Sequence, residues 1–348
     1  MSSLKQLPFK TPIACAVLAG LGFTSIAATS VADTITLRMH SQIVEARDEA
    51  QHLQDFADRV NERADGELKI EVYHAGSLGL RDPDLLRVLQ RGNVDMAMLY
   101  GEYYARDSPA LAAVYVQGAI TEPEQHLELL PTLREIYEEA YGAWDIEVVG
   151  GVVSPIYDVG IHCSDPVNSL EQLREKRVRV WAPHLVHTFR ELGISAEVIG
   201  QNDMYSALQT GVVDCAYYLS TVAETVSLQE VTDYEAYLHP WAAAPWMFGV
   251  SQQAWSRLTP ELQELVAEEA EVTWEKTREM AVDPDREAEA REYRERELGI
   301  TMLEPYSDAD VEEFVAASHN RWRKMAEDAG DDGIRYFERM QDVIAGFD

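Results

Sequence analysis

The chain is short of cysteine and of positive charge, and each shortage closes off a class of function. Only three cysteines occur in 348 residues, Cys15, Cys163 and Cys215. No C-x-x-C pair can be drawn from them, which excludes the usual dithiol redox and zinc frameworks. Lysine and arginine number 29 against 61 aspartates and glutamates, for a formal net charge of −32. A field of that sign repels nucleic acid and anionic membranes, so neither is an expected partner. The histidines, His184 and His187 included, show no H-E-x-x-H or comparable metal spacing. No metal and no cofactor is expected. The adjacent histidine–cysteine pair, His162-Cys163, falls in a predicted strand, where neighbours point to opposite faces. It cannot act as a dyad, and no catalytic residue is assigned; the chain is not expected to be an enzyme. Beyond the N-terminal region there is no apolar run long enough to span a bilayer, no Gly/Ser linker and no low-complexity segment.

What is present begins with that N-terminal region. Lys5 and Lys10 precede an apolar stretch from Pro12 to Ala28, and Ser30-Val31-Ala32 supplies small residues before Asp33. This is the layout of a cleaved secretory leader over residues 1–32. Gly20, Gly22 and Ser25 interrupt a stretch already short for a permanent anchor. Cys15 sits inside the apolar run, which argues against a lipid-modified cysteine. The expected location is the periplasm. Removing the leader takes away two lysines and no acid, and the resulting field suits saline surroundings, where screening shortens repulsion to a few ångström. In an oxidising compartment Cys163 and Cys215 have two readings, a disulfide or two buried apolar thiols in neighbouring strands. Sequence leaves both open.

The remaining length, with 46% hydrophobic residues, suffices for two cores. A repeat supports that division. Leu89-Gln90-Arg91-Gly92-Asn93-Val94-Asp95-Met96-Ala97 is echoed by Leu208-Gln209-Thr210-Gly211-Val212-Val213-Asp214-Cys215-Ala216. In each copy an amphipathic run (Leu85, Leu86, Val88, Leu89; then Met204, Tyr205, Ala207, Leu208) leads into a glycine placed where a helix end needs a left-handed residue. A short apolar run then reads as a buried strand. One α/β unit used twice predicts two similar lobes with a cleft between them.

The remaining pattern predicts strands at 35–39, 68–73, 146–153, 157–163, 177–181, 196–199 and 246–251, with helices at about 45–64 and 122–143. Another begins near Ser169 and another runs to Gly193. Thr259-Pro260-Glu261-Leu262 is a helix start, with Thr as cap and Pro at the first helical position. Its pattern runs on to about Leu298, where Pro284 must kink or break it. Ser307-Asp308 opens a further helix, and 336–344 closes the chain.

Several segments together resemble the solute-binding proteins of TRAP transporters. They are Gly66-Glu67-Leu68-Lys69-Ile70, Ala75-Gly76-Ser77-Leu78-Gly79, Gly92-Asn93-Val94-Asp95, Pro166-Val167-Asn168-Ser169-Leu170, Lys176-Arg177-Val178-Arg179-Val180 and the stretch from Met204 to Asp214. Their order and spacing carry the resemblance over about residues 33 to 345. It implies an α/β periplasmic binding protein of two lobes, each a mixed sheet flanked by helices, with the ligand cleft between them. Lobe I would comprise 33–156 plus 245–283, and lobe II 157–244 plus 284–348. A long helix would span both, matched here by Thr259 to Leu298 with Pro284 as a departure. The implied ligand is a small organic acid, and the implied partners are the small and large TRAP membrane subunits; a monomer is expected. An ABC-type binding protein would share the two-lobe logic, but the ordered motifs favour the TRAP type.

The resemblance also implies a site. Arg179 matches the family's carboxylate-binding arginine, and a guanidinium fork suits that task because it stays charged when desolvated. Alternation places Arg177 and Arg179 on one face of their strand, so at least one needs a partner. His40, Tyr100, Gln201, Tyr218, Trp246 and Arg81 match further positions around the cleft. Two departures stand out. A second arginine expected near Tyr157-Asp158-Val159-Gly160 is missing, and Cys215 replaces a glycine. A pocket rich in Tyr, Trp, Gln and His points to a monocarboxylate bearing hydroxyl groups or an aromatic or apolar tail.

Overall fold

The structure, a computed structural model, describes residues 34–241 and 243–346; the leader expected over 1–32 lies outside them. The described strands are β1 (Ile35–His40), β2 (Leu68–Tyr73), β3 (Met96–Leu99), β4 (Ile146–Val152), β5 (Tyr157–Cys163), β6 (Arg177–Val180), β7 (Ser195–Val198), β8 (Cys215–Leu219), β9 (Tyr234–Trp241), β10 (Trp246–Ser251) and β11 (Thr301–Met302). They form two mixed sheets, ordered β2-β1-β3-β10-β4 and β11-β9-β5-β8-β6-β7. In the first, β1 runs parallel to β2 and β3 while β10 is antiparallel to β3 and β4. In the second, β6 runs parallel to β7 and β8, and β5 is antiparallel to β8 and β9.

The helices are α1 (Asp48–Arg63), α2 (Leu85–Gln90), α3 (Pro109–Ala112), α4 (Pro123–Gly142), α5 (Leu170–Leu173), α6 (Pro183–Glu191), α7 (Met204–Gln209), α8 (Gln252–Trp255), α9 (Pro260–Glu279), α10 (Pro284–Glu297), α11 (Asp308–Asp328) and α12 (Asp331–Ile344). Helix α1 forms because Leu53, Phe56, Ala57 and Val60 recur at helical spacing and are all fully buried. The Phe56 ring lies 4.8 Å from that of Phe248 on β10. Burying each of Leu53, Phe56 and Val60 is worth about 1.5–3 kcal/mol. Strands β3 and β10 are buried along their whole length, as continuous apolar runs in a covered sheet should be.

The repeated motif builds the same unit in each sheet. Gly92 and Gly211 adopt φ of 66° and 69° after α2 and α7, and β3 and β8 follow. The motif aspartates have matching work. Asp95 accepts the backbone N–H of Arg38 on β1, and Asp214 accepts that of Arg177 on β6, both at 2.9 Å. Each unit is thus tied to the strand beside it.

The helical pattern from Thr259 to Leu298 forms two helices, broken at the point where Pro284 was expected to kink or break it. Thr259 caps α9 by accepting from the N–H of Leu262. The chain then breaks, and Asp283 caps α10 by accepting from Asp285 and Arg286. Pro284 has no N–H to give and would clash with the preceding turn, so it opens a helix instead of continuing one. Helix α9 rests on β4 and α1 of the first sheet. Helix α10 sends Arg291 to Asp158 and Arg294 to Glu235 on the second. Strand β9 was not apparent from sequence; it lies between β5 and β11. Helix α12 rests on α4, where Arg335 and Arg339 pair with Glu135 and Glu139.

The two cysteines are bonded. Cys163 on β5 and Cys215 on β8 stand opposite each other in the antiparallel register, with Cα atoms 4.3 Å apart, the close spacing of a non-hydrogen-bonded pair.

Candidate functional site

The C-terminal ends of β3, β6 and β8, the start of β10 and the segments that follow β1 and β7 meet around one cavity. Ligands of open α/β sheets characteristically sit beyond the carboxyl ends of the parallel strands. The lining is Arg47, Tyr100, Tyr103, Arg179, Trp181, Gln201, Tyr218, Leu219 and Trp246. The empty space within it is about 370 Å³, part of it open to solvent.

Arg179 dominates the electrostatics. It is 1% exposed, and its Nε donates to the carbonyl of Ile199 at 2.8 Å. Nη1 is buried without a hydrogen-bond partner, and no carboxylate among the described residues pairs with the guanidinium. Its Cζ sits 5.4 Å from the centre of the Tyr218 ring. Burial pushes its pKa down to about 10, against the restraining influence of Tyr218 and Tyr103. Arg177, two residues earlier, is exposed and already engaged by Asp214 at 2.7 Å. The face shared by the two arginines therefore holds one that is satisfied and one that is not.

A second arginine reaches the cavity from an unexpected place. Arg47, at the start of α1, is 3% exposed. Its Nε donates to Glu49 Oε2 at 3.0 Å, and its Nη2 to the other oxygen of the same carboxylate. Its Nη1 donates to Gln201 Oε1 at 3.2 Å, and that oxygen also accepts from the Tyr218 hydroxyl at 3.1 Å. Burial opposes the charge on Arg47, but Glu49 and the neighbouring Tyr218 and Tyr157 outweigh it and hold the pKa above its ordinary value.

The rest of the wall is aromatic. Tyr100 and Trp246 stack with centroids 4.6 Å apart, and Tyr103 leans on Tyr100 at 5.2 Å. Trp181 stacks on Tyr217 at 4.8 Å, and its Nε1 donates to Glu102 Oε2 at 3.2 Å. Glu102 is buried behind the wall. Burial raises its pKa to about 8, more than hydrogen bonds from Trp181 and Tyr100 bring it back down. His184 Nε2 lies 3.8 Å from the same oxygen, with burial, Arg321 and His187 lowering its pKa to about 3. Both shifts favour the uncharged form. Two donors, Gln201 Nε2 and Trp246 Nε1, are buried without partners.

The structure thus brings Arg179, Tyr218, Tyr100, Gln201 and Trp246 together and leaves His40 and Arg81 outside the lining. His40 is fully buried, with Nε2 3.6 Å from Asp82. Arg81 is exposed and paired with Asp84 at 2.6 Å. Arg47, Tyr103, Trp181 and Leu219 were not anticipated. Trp181 had a usable signal, since alternation puts it on the face of Arg179. Arg47 had almost none: a basic residue at a helix start reads as surface. His162 faces Glu235 at 3.5 Å, away from the disulfide. Among the described residues no three His, Cys, Asp or Glu are grouped to hold a metal ion.

Two mixed sheets with a buried, aromatic, cationic cavity at their strand ends define a two-lobe solute receptor. The family model for bacterial extracellular solute-binding proteins, family 7, matches residues 41–328, and the chain belongs to that family. A solute-binding protein of Albidiferax ferrireducens is 27% identical over 193 residues, 51% of this chain and 52% of that relative, so the match spans about half the relative's length. An extracytoplasmic solute receptor of Bordetella pertussis that binds pyroglutamic acid superposes with TM-score 0.78 at 19% identity, over 88% of this chain and 100% of its own. A TRAP periplasmic solute-binding protein of Sulfitobacter sp. with bound β-D-galacturonate gives 0.75 at 23%, over 88% and 99%. No helix among the described residues is long and apolar enough to cross a membrane.

Proposed function

We propose that this chain is the extracytoplasmic receptor of a TRAP transporter, capturing a small monocarboxylate in the cavity and delivering it to the small and large membrane subunits. One observation carries the reading: Arg179 is a buried guanidinium on the cavity wall with no carboxylate among the described residues to balance it. A ligand carboxylate would supply that charge through two parallel hydrogen bonds. Tyr218, Gln201, Tyr100 and Trp246 would complete the shell. Its aromatic faces suit a flat or apolar body, and the unpartnered donors of Gln201 and Trp246 suit hydroxyl or carbonyl oxygens. Pyroglutamate and galacturonate, held by the two structural neighbours, are both monocarboxylates. No reaction is proposed.

Capture would work by closure of two bodies, 33–156 plus 245–283 on 157–244 plus 284–348. Polar contacts already bridge the two sets across the cavity, from Arg47 to Gln201 and from Trp181 to Glu102. Ligand making contacts with both would shift the equilibrium toward the closed form. Helix α12, in the second set, lies on α4 of the first and would be a further contact between the two bodies.

The test is a thermal-shift screen of the exported form against organic acids and neutral sugars, with Arg179→Ala as control. A micromolar ligand at about a millimolar concentration stabilises by roughly 4 kcal/mol. Acids should stabilise the natural protein and not the variant. Stabilisation by neutral solutes alone, or an equal response of the variant, would overturn the assignment.

A further inference from the structure

The cavity contains two arginines of opposite standing, and the difference lies in one residue outside the lining. Arg179 has no anionic partner among the described residues, whereas Arg47 is gripped on two of its nitrogens by the carboxylate of Glu49. Glu49 is fully buried and does not line the cavity. Arg47 Nη1 is taken by Gln201. The wall therefore presents two guanidinium groups but only one uncancelled positive charge.

We infer that Glu49 is a specificity-determining residue, which neutralises Arg47 from behind and so restricts the site to ligands with a single carboxylate. The inference rests on the carboxylate-receptor reading above and narrows it. The physical argument is charge balance in a poorly solvated space. A dicarboxylate seated on Arg179 must bring its second negative charge toward the Arg47–Glu49 pair. Arg47 would attract that charge and Glu49 would repel it, while the ligand gives up its hydration. Arg47 has also committed the geometry it would need, because its Nε and Nη2 edge, the one suited to a bidentate carboxylate, already faces Glu49. What Arg47 keeps is a positioning role. It holds the Gln201 oxygen, which leaves Gln201 Nε2 as the buried donor without a partner. A neutral, hydrogen-bonding part of a ligand fits there, and a second carboxylate does not.

The test is isothermal titration with L-pyroglutamate and D-glucuronate, each with one carboxylate, and with succinate, which has two. The natural protein should bind one of the monocarboxylates at least tenfold more tightly than succinate. Glu49→Gln removes the cancelling charge with little change of shape, and should shift that ratio toward succinate by at least tenfold. The double variant Arg47→Gln/Glu49→Gln removes both charges and should return the ratio to that of the natural protein. Should Glu49→Gln fail to fold, Glu49→Ala takes its place. An unchanged ratio in the Glu49 variant, with both classes weakened alike, overturns the inference and leaves the receptor reading standing. So does a natural protein that prefers succinate in an Arg179-dependent manner. If no acid binds the natural protein, or if Arg179→Ala leaves binding intact, the receptor reading fails and this inference fails with it.

Discussion

Replacing Arg179 by methionine should damage binding and strengthen the unliganded protein, and the opposite signs are the point of the experiment. The guanidinium is 1% exposed and its pKa falls from 12.5 to about 10 through burial. At about 1.4 kcal/mol for each tenfold change in proton affinity, that amounts to about 3 kcal/mol of lost preference for the charge. Methionine fills similar length without charge. It gives up the Nε bond to the Ile199 carbonyl, held at 2.8 Å, and a bond from a charged donor is worth about 1.5–3 kcal/mol. The net change is a gain of up to roughly 1–2 kcal/mol, or about 2–5 °C in Tm. Binding moves the other way. A buried ligand carboxylate without its partner loses about 2–5 kcal/mol, on the order of 30- to 5,000-fold in Kd. Calorimetry of both proteins, alone and with a binding acid, reads the two effects together. A variant whose unliganded Tm falls by more than a few degrees would refute the reasoning, because it would mean that Arg179 is satisfied by the protein itself.

Three other outcomes are expected. Reducing the Cys163–Cys215 bond, which closes a loop of 52 residues, should destabilise by up to about 4 kcal/mol on the chain-entropy argument; denaturant midpoints with and without reductant measure it. Stability should fall between about pH 6.5 and pH 8. Glu102 has an ordinary value of 4.5 and a folded value of about 8, so its contribution is complete below about pH 4.5 and disappears as pH rises through 8, by at most about 1.4 kcal/mol per pH unit. His184, ordinarily 6.5 and about 3 when folded, has the opposite sign, but its contribution is complete above about pH 6.5. A Tm profile that stays as steep in Glu102→Gln would remove Glu102 as the cause. Finally, a net charge of −32 repels an approaching anion over about a Debye length. Stopped-flow association of a carboxylate ligand should therefore quicken between 0.05 and 1 M salt, and a rate that falls with salt would show that a local basic approach outweighs the net field.

Much of the fold was legible because the core is written in local periodicity. Strands β2, β5 and β10 begin and end where alternation and apolar runs placed them. The repeat foretold two α/β units with left-handed glycines. Strand β9 was not legible, because its buried Glu235 and its Pro240 read as loop chemistry. Glu235 is tolerated there only because Arg294, far along the chain on α10, pairs with it at 2.9 Å. The site shows the same division. Arg179 followed from its strand and its motif, and Trp181 could have followed from the same alternation. Arg47 could not, since its burial depends on Glu49 beside it and on Gln201 from the other half of the chain. His40 and Arg81 stand near the right strand and turn, yet register alone does not say which side chain faces a cavity. One is buried beside Asp82 and the other pairs in solvent with Asp84.

The repeated unit also explains why one arginine of the Arg177–Arg179 pair is free. In each sheet the motif aspartate turns back to the neighbouring parallel strand and accepts a backbone N–H from it, Arg38 for Asp95 and Arg177 for Asp214. The side chains of the same arginines reach carbonyls of the motif turn, Asn93 and Gly211. Arg177 is thereby consumed by the architecture, as Arg38 is in the first sheet. Two residues further along the same strand face, Arg179 lies past the reach of Asp214 and near the end of β6, where the sheet gives way to the cavity. The arrangement that fixes the strand order thus disposes of one charge at the structural end of β6. It leaves the other, at the open end, without a carboxylate partner among the described residues.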